Sequence, residues 1–233
     1  MSSRQCPFCK IAGAHPPIPT STFLRNPNAD ADSSSATAVI AKIPSPASED
    51  PDSHAFLVLS TKHVLAFLDI MPLTPGHLLV VPREHSEKLG EVSVRVSREL
   101  GTWLPILSRA VMRTIFGESQ QPSTEGSVSN SNTDESWNWN VVQNNGVGAA
   151  QVVPHVHFHI VPRPPLGAAG TAAKMSFIMF GRGAREDLDD EEGEKLAGLL
   201  REAVAREVVR VREVEGVDVE ELGEFGGGER GKL

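Results

Sequence analysis

Hydrophobic residues fall along this chain in two rhythms, and the change from one to the other marks its elements. Phe56-Leu57-Val58-Leu59 and Val64-Leu65-Ala66-Phe67-Leu68 are apolar runs separated by Ser60-Thr61-Lys62-His63. Their length and their branched and aromatic content predict the two strands of an antiparallel hairpin. His77 to Val81, bounded by Pro75-Gly76 and Pro82, predicts a third strand, and Trp137 to Gln143 a fourth. The run His155-Val156-His157-Phe158-His159-Ile160-Val161 alternates strictly between Pro154 and Pro162. Side chains of a strand point to opposite faces with period two, so the imidazoles share one face while Val156, Phe158 and Ile160 face a core. Leu100, Trp103, Leu104, Leu107, Val111 and Ile115 recur at steps of three and four, the stripe of an amphipathic helix. Pro105 lies inside that stripe, so this helix either kinks there or begins nearby. A last helix places Leu196, Leu199, Leu200, Val204, Val208 and Val211 on one face among charges. The order of elements predicts an α+β domain: an antiparallel sheet with a central helix, plus a C-terminal helix.

Two stretches break the rhythm. Residues from about 14 to 53 and from about 117 to 136 are rich in Pro, Ser, Asn, Asp and other small or polar residues. They hold too few large apolar side chains to offset the entropy of ordering, and read as insertions. Within the first, Ala38-Val39-Ile40-Ala41-Lys42-Ile43 could form one short strand; Gly167 to Ala173 reads as mobile. The organisation is therefore a domain over 1–183 carrying two low-complexity insertions, followed by an acidic helical tail over 184–233. That tail holds sixteen acidic against eight basic residues, so it carries the whole net charge of −8 and the remainder is neutral. With no basic stripe elsewhere, nucleic-acid binding is excluded as a function. No apolar run approaches the ~18 residues of a membrane span. The N-terminus, Met1 to Pro7, lacks the marks of a secretory or transit signal, which predicts an intracellular address, in the cytoplasm or nucleus. The tail's apolar stripe could pack on its own domain or recruit a protein partner.

Candidate chemistry concentrates in the histidine run. Neutral imidazole is a nucleophile, a general base and a metal ligand, and its ordinary pKa near ~6.5 keeps a neutral fraction at cellular pH. Three imidazoles on one face add little to a strand for packing's sake and would resist being charged together. The two cysteines, Cys6 and Cys9, stand in C-x-x-C spacing, which in a reducing compartment means metal or redox chemistry rather than a structural disulfide. A thioredoxin-like βαβ context is missing, which disfavours redox use. His15, His54, His63 and His77 follow no comparable pattern and read as loop or surface residues. Gly146 and Gly148, in Asn144-Asn145-Gly146-Val147-Gly148-Ala149-Ala150-Gln151, allow tight turns and close approach of backbone amides to phosphate.

The run from His155 to Val161 resembles the signature of the histidine triad family at every position. So do the loop from Asn144 to Gln151, Leu68-Asp69-Ile70-Met71-Pro72, and Gly76-His77-Leu78-Leu79-Val80-Val81-Pro82. The resemblance covers roughly Cys6 to Ala12 and Phe56 to Arg163, and is nearest to adenosine phosphoramidases and related nucleotide hydrolases. It implies a homodimer of α+β domains that cleaves purine nucleoside phosphoramidates through a covalent nucleotidyl-histidine. It makes His157 the nucleophile, His155 the residue whose carbonyl orients it, and His159 the contact to phosphate or leaving group. Asp69 would bind the ribose hydroxyls, Asn144 and Gln151 would give polar contacts to ribose and phosphate, and Phe8, Ile11, Phe67 and Ile70 would form the purine slot. Cys6, Cys9, His85 and His155 form a zinc set of two thiolates and two imidazoles, as in some family members, with the metal structural. Val152 replaces a hydroxyl residue often found at its place, removing one phosphate hydrogen bond. A dinucleoside polyphosphate hydrolase is the near alternative. A nucleotide-sensing scaffold with incidental catalytic residues is an alternative of another class.

Overall fold

The computed structural model describes residues 5–24, 53–117, 137–163 and 186–219. Five strands, β1 (Leu57–Ser60), β2 (Val64–Leu68), β3 (Leu78–Pro82), β4 (Asn138–Gln143) and β5 (Phe158–Arg163), form one antiparallel sheet in the order β1-β2-β3-β5-β4. Alternation along the strands gives the sheet two apolar faces. Val64, Ala66 and Leu68 of β2, Leu78 and Val80 of β3 and Ile160 of β5 face the long helices α2 (Val94–Phe116) and α3 (Asp190–Glu215). Leu65, Phe67, Leu79 and Val81 point the other way and pack with Cys6, Phe8 and Ile11 of the segment carrying α1 (Pro7–Ala14). Cover on both sides explains why β1, β2 and β3 read as unbroken apolar runs. Arg83 locks α1 onto the sheet, donating to the carbonyls of Ala12 and Thr61 and to Ser60 Oγ.

The α+β class and the hairpin from Leu57 to Leu68 match the sequence reading. The histidine strand is shorter than predicted. β5 starts at Phe158, and His155 and His157 lie in the extended approach to it. The cause sits on the neighbouring strand: β3 pairs with β5 only as far as Val80 opposite Phe158, and β3 ends at Pro82, which has no amide hydrogen to extend the ladder. Val156 N–H bonds instead to the carbonyl of Ser86 at 2.7 Å. The predicted facing of alternate residues survives: Phe158 and Ile160 pack with the core under the long helices, whereas His155 and His157 meet Phe8 of the α1 segment.

α2 runs unbroken through Pro105. The proline and Gly101, whose carbonyl would have received its missing hydrogen bond, are both exposed, so water can serve that carbonyl. Ser93 caps the start by accepting the Val96 N–H. α3 is capped by Asp189, which accepts the amides of Glu191 and Glu192, and Asp190, Glu191 and Glu192 favour the positive end of the helix dipole. Its stripe of Leu200, Val204, Val208 and Val211 joins the main core against α2 and β1; Leu199, placed on that face by the sequence reading, is 41% exposed. Part of the first predicted insertion is also ordered: Ile18 bridges Ser60, and Thr20–Phe23 forms a short 3-10 turn against α3. The strand expected at Ala38 to Ile43 and the stretch Gly167 to Ala173 lie outside the described residues.

A buried carboxylate clamps α3 to α2. The Glu207 side chain is fully enclosed and accepts from Arg109, Arg113 and Arg210. Burial alone would raise its pKa, but the hydrogen bonds from Arg210 and Arg109 and the charges of Arg109 and Arg113 hold it below the ordinary 4.5. Its stabilising contribution is therefore complete above about pH 4.5 and is lost as acid titrates the folded carboxylate. Glu207→Ala should cost about 3 kcal/mol in denaturant unfolding at pH 7, the low end for breaking a buried pair because the guanidiniums retain contact with water. The cost should shrink toward pH 3 in the same experiment.

Candidate active site

The histidines lie on the sheet face that α1 covers, opposite the long helices. His157 is 5% exposed, and its Nδ1–H donates to the carbonyl of His155 at 2.7 Å. A carbonyl oxygen can only accept, so the proton sits on Nδ1 and Nε2 keeps its lone pair in the neutral ring. Phe8 meets His157 edge-on at 5.4 Å between ring centroids, and His159 lies at 4.9 Å. Burial lowers the pKa of His157 below 6.5, against the opposing effects of its bond to His155 and the charge of Asp69. The ring therefore stays neutral to lower pH than a free imidazole. For a rate that depends on neutral His157, kcat/KM profiles should place the acid limb below 6.5.

His159, on β5, is held by a residue that the sequence reading left on the surface. His77 is 1% exposed, and its Nε2 lies 2.9 Å from His159 Nδ1. Leu73 N–H donates to His77 Nδ1 at 3.1 Å, so the His77 proton is on Nε2 and is donated to His159. His159 then carries its own proton on Nε2. Asp69 closes the row: Oδ2 lies 3.4 Å from His77 Nδ1, and Oδ1 accepts the Met71 N–H at 2.9 Å. His15 is also buried, at 4% exposure, whereas His63 is half-buried and His54 is exposed as expected. The signal for His77 was its parity with Leu79 and Val81, but parity selects a face only once the neighbours of β3 are known.

The loop between β4 and the histidines turns at Gly146, whose φ of +85° suits glycine, and ends at Ala150 with φ +62°. Gly148 needs no such freedom: its φ is ordinary, and nothing lies within 4 Å of where a Cβ would stand, contrary to the tight turn expected there. Asn144 is half-buried at the end of β4, and Val152 is 90% exposed. Gln151 is buried, with its carboxamide bonded to Gly146 N and to the carbonyls of Glu87 and His155. Phe8, Ile11 and Phe67 pack in one cluster, with Phe8 and Phe67 edge-on at 5.4 Å, whereas Ile70 stands apart at 58% exposure.

Cys6, Cys9, His85 and His155 converge next to the histidine run. Cys6 Sγ lies 3.4 Å from His155 Nδ1, and Cys9 Sγ lies 3.3 Å from His85 Nδ1 and 3.6 Å from His155 Nδ1. Bonds of ~2.3 Å to sulfur and ~2.0–2.1 Å to nitrogen at tetrahedral angles put the two donors about 3.5 Å apart, so the cluster fits zinc. His155 is in the tautomer a metal needs: Nε2–H donates to the Pro82 carbonyl at 2.8 Å, leaving Nδ1 bare toward the thiols. Burial lowers its pKa to about 4, partly offset by the Pro82 bond and reinforced by His85 and His157, so the ring is a neutral ligand at pH 7. Burial, then the neighbouring Cys6, push the Cys9 thiol up to about 12.

Comparison with known proteins decides the family. A model of the HIT domain matches residues 50–166, about half of the chain and all of the sheet and histidine run. The chain belongs to the HIT domain family. Over 149 residues it is 31% identical to an adenosine 5'-monophosphoramidase of Candida albicans, covering 61% of this chain and 88% of that protein. Over 100 residues it is 40% identical to an adenosine 5'-monophosphoramidase of Schizosaccharomyces pombe, covering 43% of this chain and 58% of that one. Among solved structures, a zinc-bound histidine triad family protein of Mycobacterium smegmatis superposes with a TM-score of 0.46 at 24% identity, over 66% of this chain and 87% of that one. Cys6, Cys9 and the long helix α3 lie outside the matched HIT domain, yet the cysteines reach back to His85 and His155 within it.

Proposed function

We propose that the protein is a hydrolase that cleaves purine nucleoside phosphoramidates, forming a covalent nucleotidyl intermediate on His157. The observation that carries this reading is the 2.7 Å bond from His157 Nδ1–H to the His155 carbonyl, which leaves Nε2 unprotonated beside a proton donor on His159. Nε2 of His157 attacks the α-phosphorus as the phosphorus–nitrogen bond breaks; the departing amine takes its proton from solvent water, and His159 Nε2–H steadies it with a hydrogen bond. Water then attacks the nucleotidyl-histidine and loses its proton to solvent. The nucleoside monophosphate leaves and the His157 imidazole is restored. His77 holds His159 in the donating tautomer through both steps. Asp69 takes the ribose hydroxyls, Phe8, Ile11, Phe67 and Ile70 line the base, and the loop from Asn144 to Gln151 meets the phosphate. Rates on an adenosine phosphoramidate and on diadenosine polyphosphates, side by side, test the substrate class. At least about tenfold higher kcat/KM on the phosphoramidate is expected, and the reverse order makes the protein a dinucleoside polyphosphate hydrolase.

Zinc on Cys6, Cys9, His85 and His155 would tie α1 to the end of β3 and to the histidine run, a structural task. Such a dithiol needs a reducing compartment, in line with the cytoplasm or nucleus; no helix among the described residues is long and apolar enough to cross a membrane. A homodimer would form at β4, one of the two edge strands, where the successive residues Val141 and Val142 are 46% and 40% exposed on opposite faces. The scaffold reading has less support, because the α3 stripe is occupied by α2 and β1. On this reading, residues 184–233 begin as a cover on the catalytic domain of 1–183.

A further inference from the structure

Both polar groups of the buried Gln151 carboxamide are engaged by backbone. Gly146 N–H donates to Oε1 at 2.5 Å, and Nε2 donates to the carbonyls of Glu87 at 2.8 Å and His155 at 3.3 Å. The orientation of the amide is forced, since a backbone N–H only donates and the two carbonyls only accept. The His155 carbonyl is also the acceptor for His157 Nδ1–H, so Gln151 and His157 share its two lone pairs. The same peptide unit is gripped at its other end, where Val156 N–H bonds to Ser86 O at 2.7 Å. Ser86 and Glu87 therefore hold, directly and through Gln151, the plane whose oxygen selects the tautomer of the candidate nucleophile.

We propose that Gln151 is a positioning residue for His157. It fixes the direction of the His155 carbonyl, which keeps the proton on Nδ1 and the Nε2 lone pair free for attack. The inference rests on His157 being the nucleophile, and gives Gln151 a task other than the phosphate contact that the family resemblance implies. Gln151→Glu keeps the shape but sets an oxygen against two carbonyls; Gln151→Met keeps the bulk without polar atoms.

Long-range nitrogen–proton NMR of the wild-type protein without substrate should show His157 protonated on Nδ1. A coupling should also appear across the hydrogen bond from the Gln151 side-chain nitrogen to the His155 carbonyl carbon; its absence in wild type would overturn the proposal without any variant. In whichever variant retains a cooperative melting transition, His157 should shift toward the Nε2-protonated tautomer. There kcat should fall about 10- to 100-fold, the range for removing a partner that orients a functional group, with KM within about threefold. A raised KM with kcat and tautomer unchanged would assign Gln151 to nucleotide contact, and no change at all would make it a bystander. Either result overturns the inference. Inactive wild-type protein on phosphoramidates would instead count against the proposed substrate, leaving the tautomer measurements intact.

Discussion

His157→Ala is expected to lower turnover of an adenosine phosphoramidate by at least about a thousand-fold, with adenosine monophosphate affinity within a few-fold of wild type. The size of the loss follows from the geometry of the neighbours, neither of which can substitute. His159 Nδ1 is taken by His77 at 2.9 Å, which leaves its Nε2 protonated and without a lone pair. His155 donates Nε2–H to the Pro82 carbonyl and turns Nδ1 toward Cys6 and Cys9, so both its ring nitrogens are engaged. Removing His157 leaves the His155 carbonyl its bond from Gln151. The fold and the binding cleft should therefore survive. Steady-state kinetics with calorimetric binding of the monophosphate separates the two effects, and retention of a tenth of the activity would contradict the assignment.

Zinc is the second large effect. The purified chain should bind one Zn(II), and metal at about a thousandfold excess over Kd should stabilise the fold by about 4 kcal/mol. For a domain of this size that raises Tm by about 8–16 °C. Cys9→Ser should abolish the shift, because its sulfur faces both His85 and His155. Affinity should rise with pH: binding displaces the thiol protons, and burial holds the Cys9 thiol protonated up to about 12 in the free protein. Scanning calorimetry with and without metal measures both quantities. Equal Tm for apo and zinc-treated protein would show that the cluster is packed thiol and imidazole rather than a metal centre.

Much of this was legible in the residue order. Unbroken apolar runs located β1, β2 and β3 because the sheet is covered on both faces, and the three-four spacing located α2 because only one of its faces is buried. The histidine run and the C-x-x-C pair stood out in the sequence by their spacing. The start of β5 was not, because it depends on Pro82 of another strand failing to offer an amide. His77 was missed for a similar reason, since its value lies in facing His159 across the β3–β5 pairing, a contact 82 residues apart in sequence. The sequence placed Gln151 in the loop but could not show its partners: the three backbone groups around it come from Gly146, Glu87 and His155, and their convergence is a tertiary fact. The apolar stripe of α3 was plain, but its site against α2 is set partly by Glu207 and the arginines of both helices, which read in sequence as ordinary surface charge.

The account stands on one neutral imidazole attacking phosphorus, and mass spectrometry after rapid acid-free quench during turnover of an adenosine phosphoramidate tests it most directly. A single added nucleotidyl group should map to His157, form within one turnover and vanish when substrate is exhausted. Steady turnover with no adduct at any quench time, or an adduct on His155 or His159 instead, would contradict it.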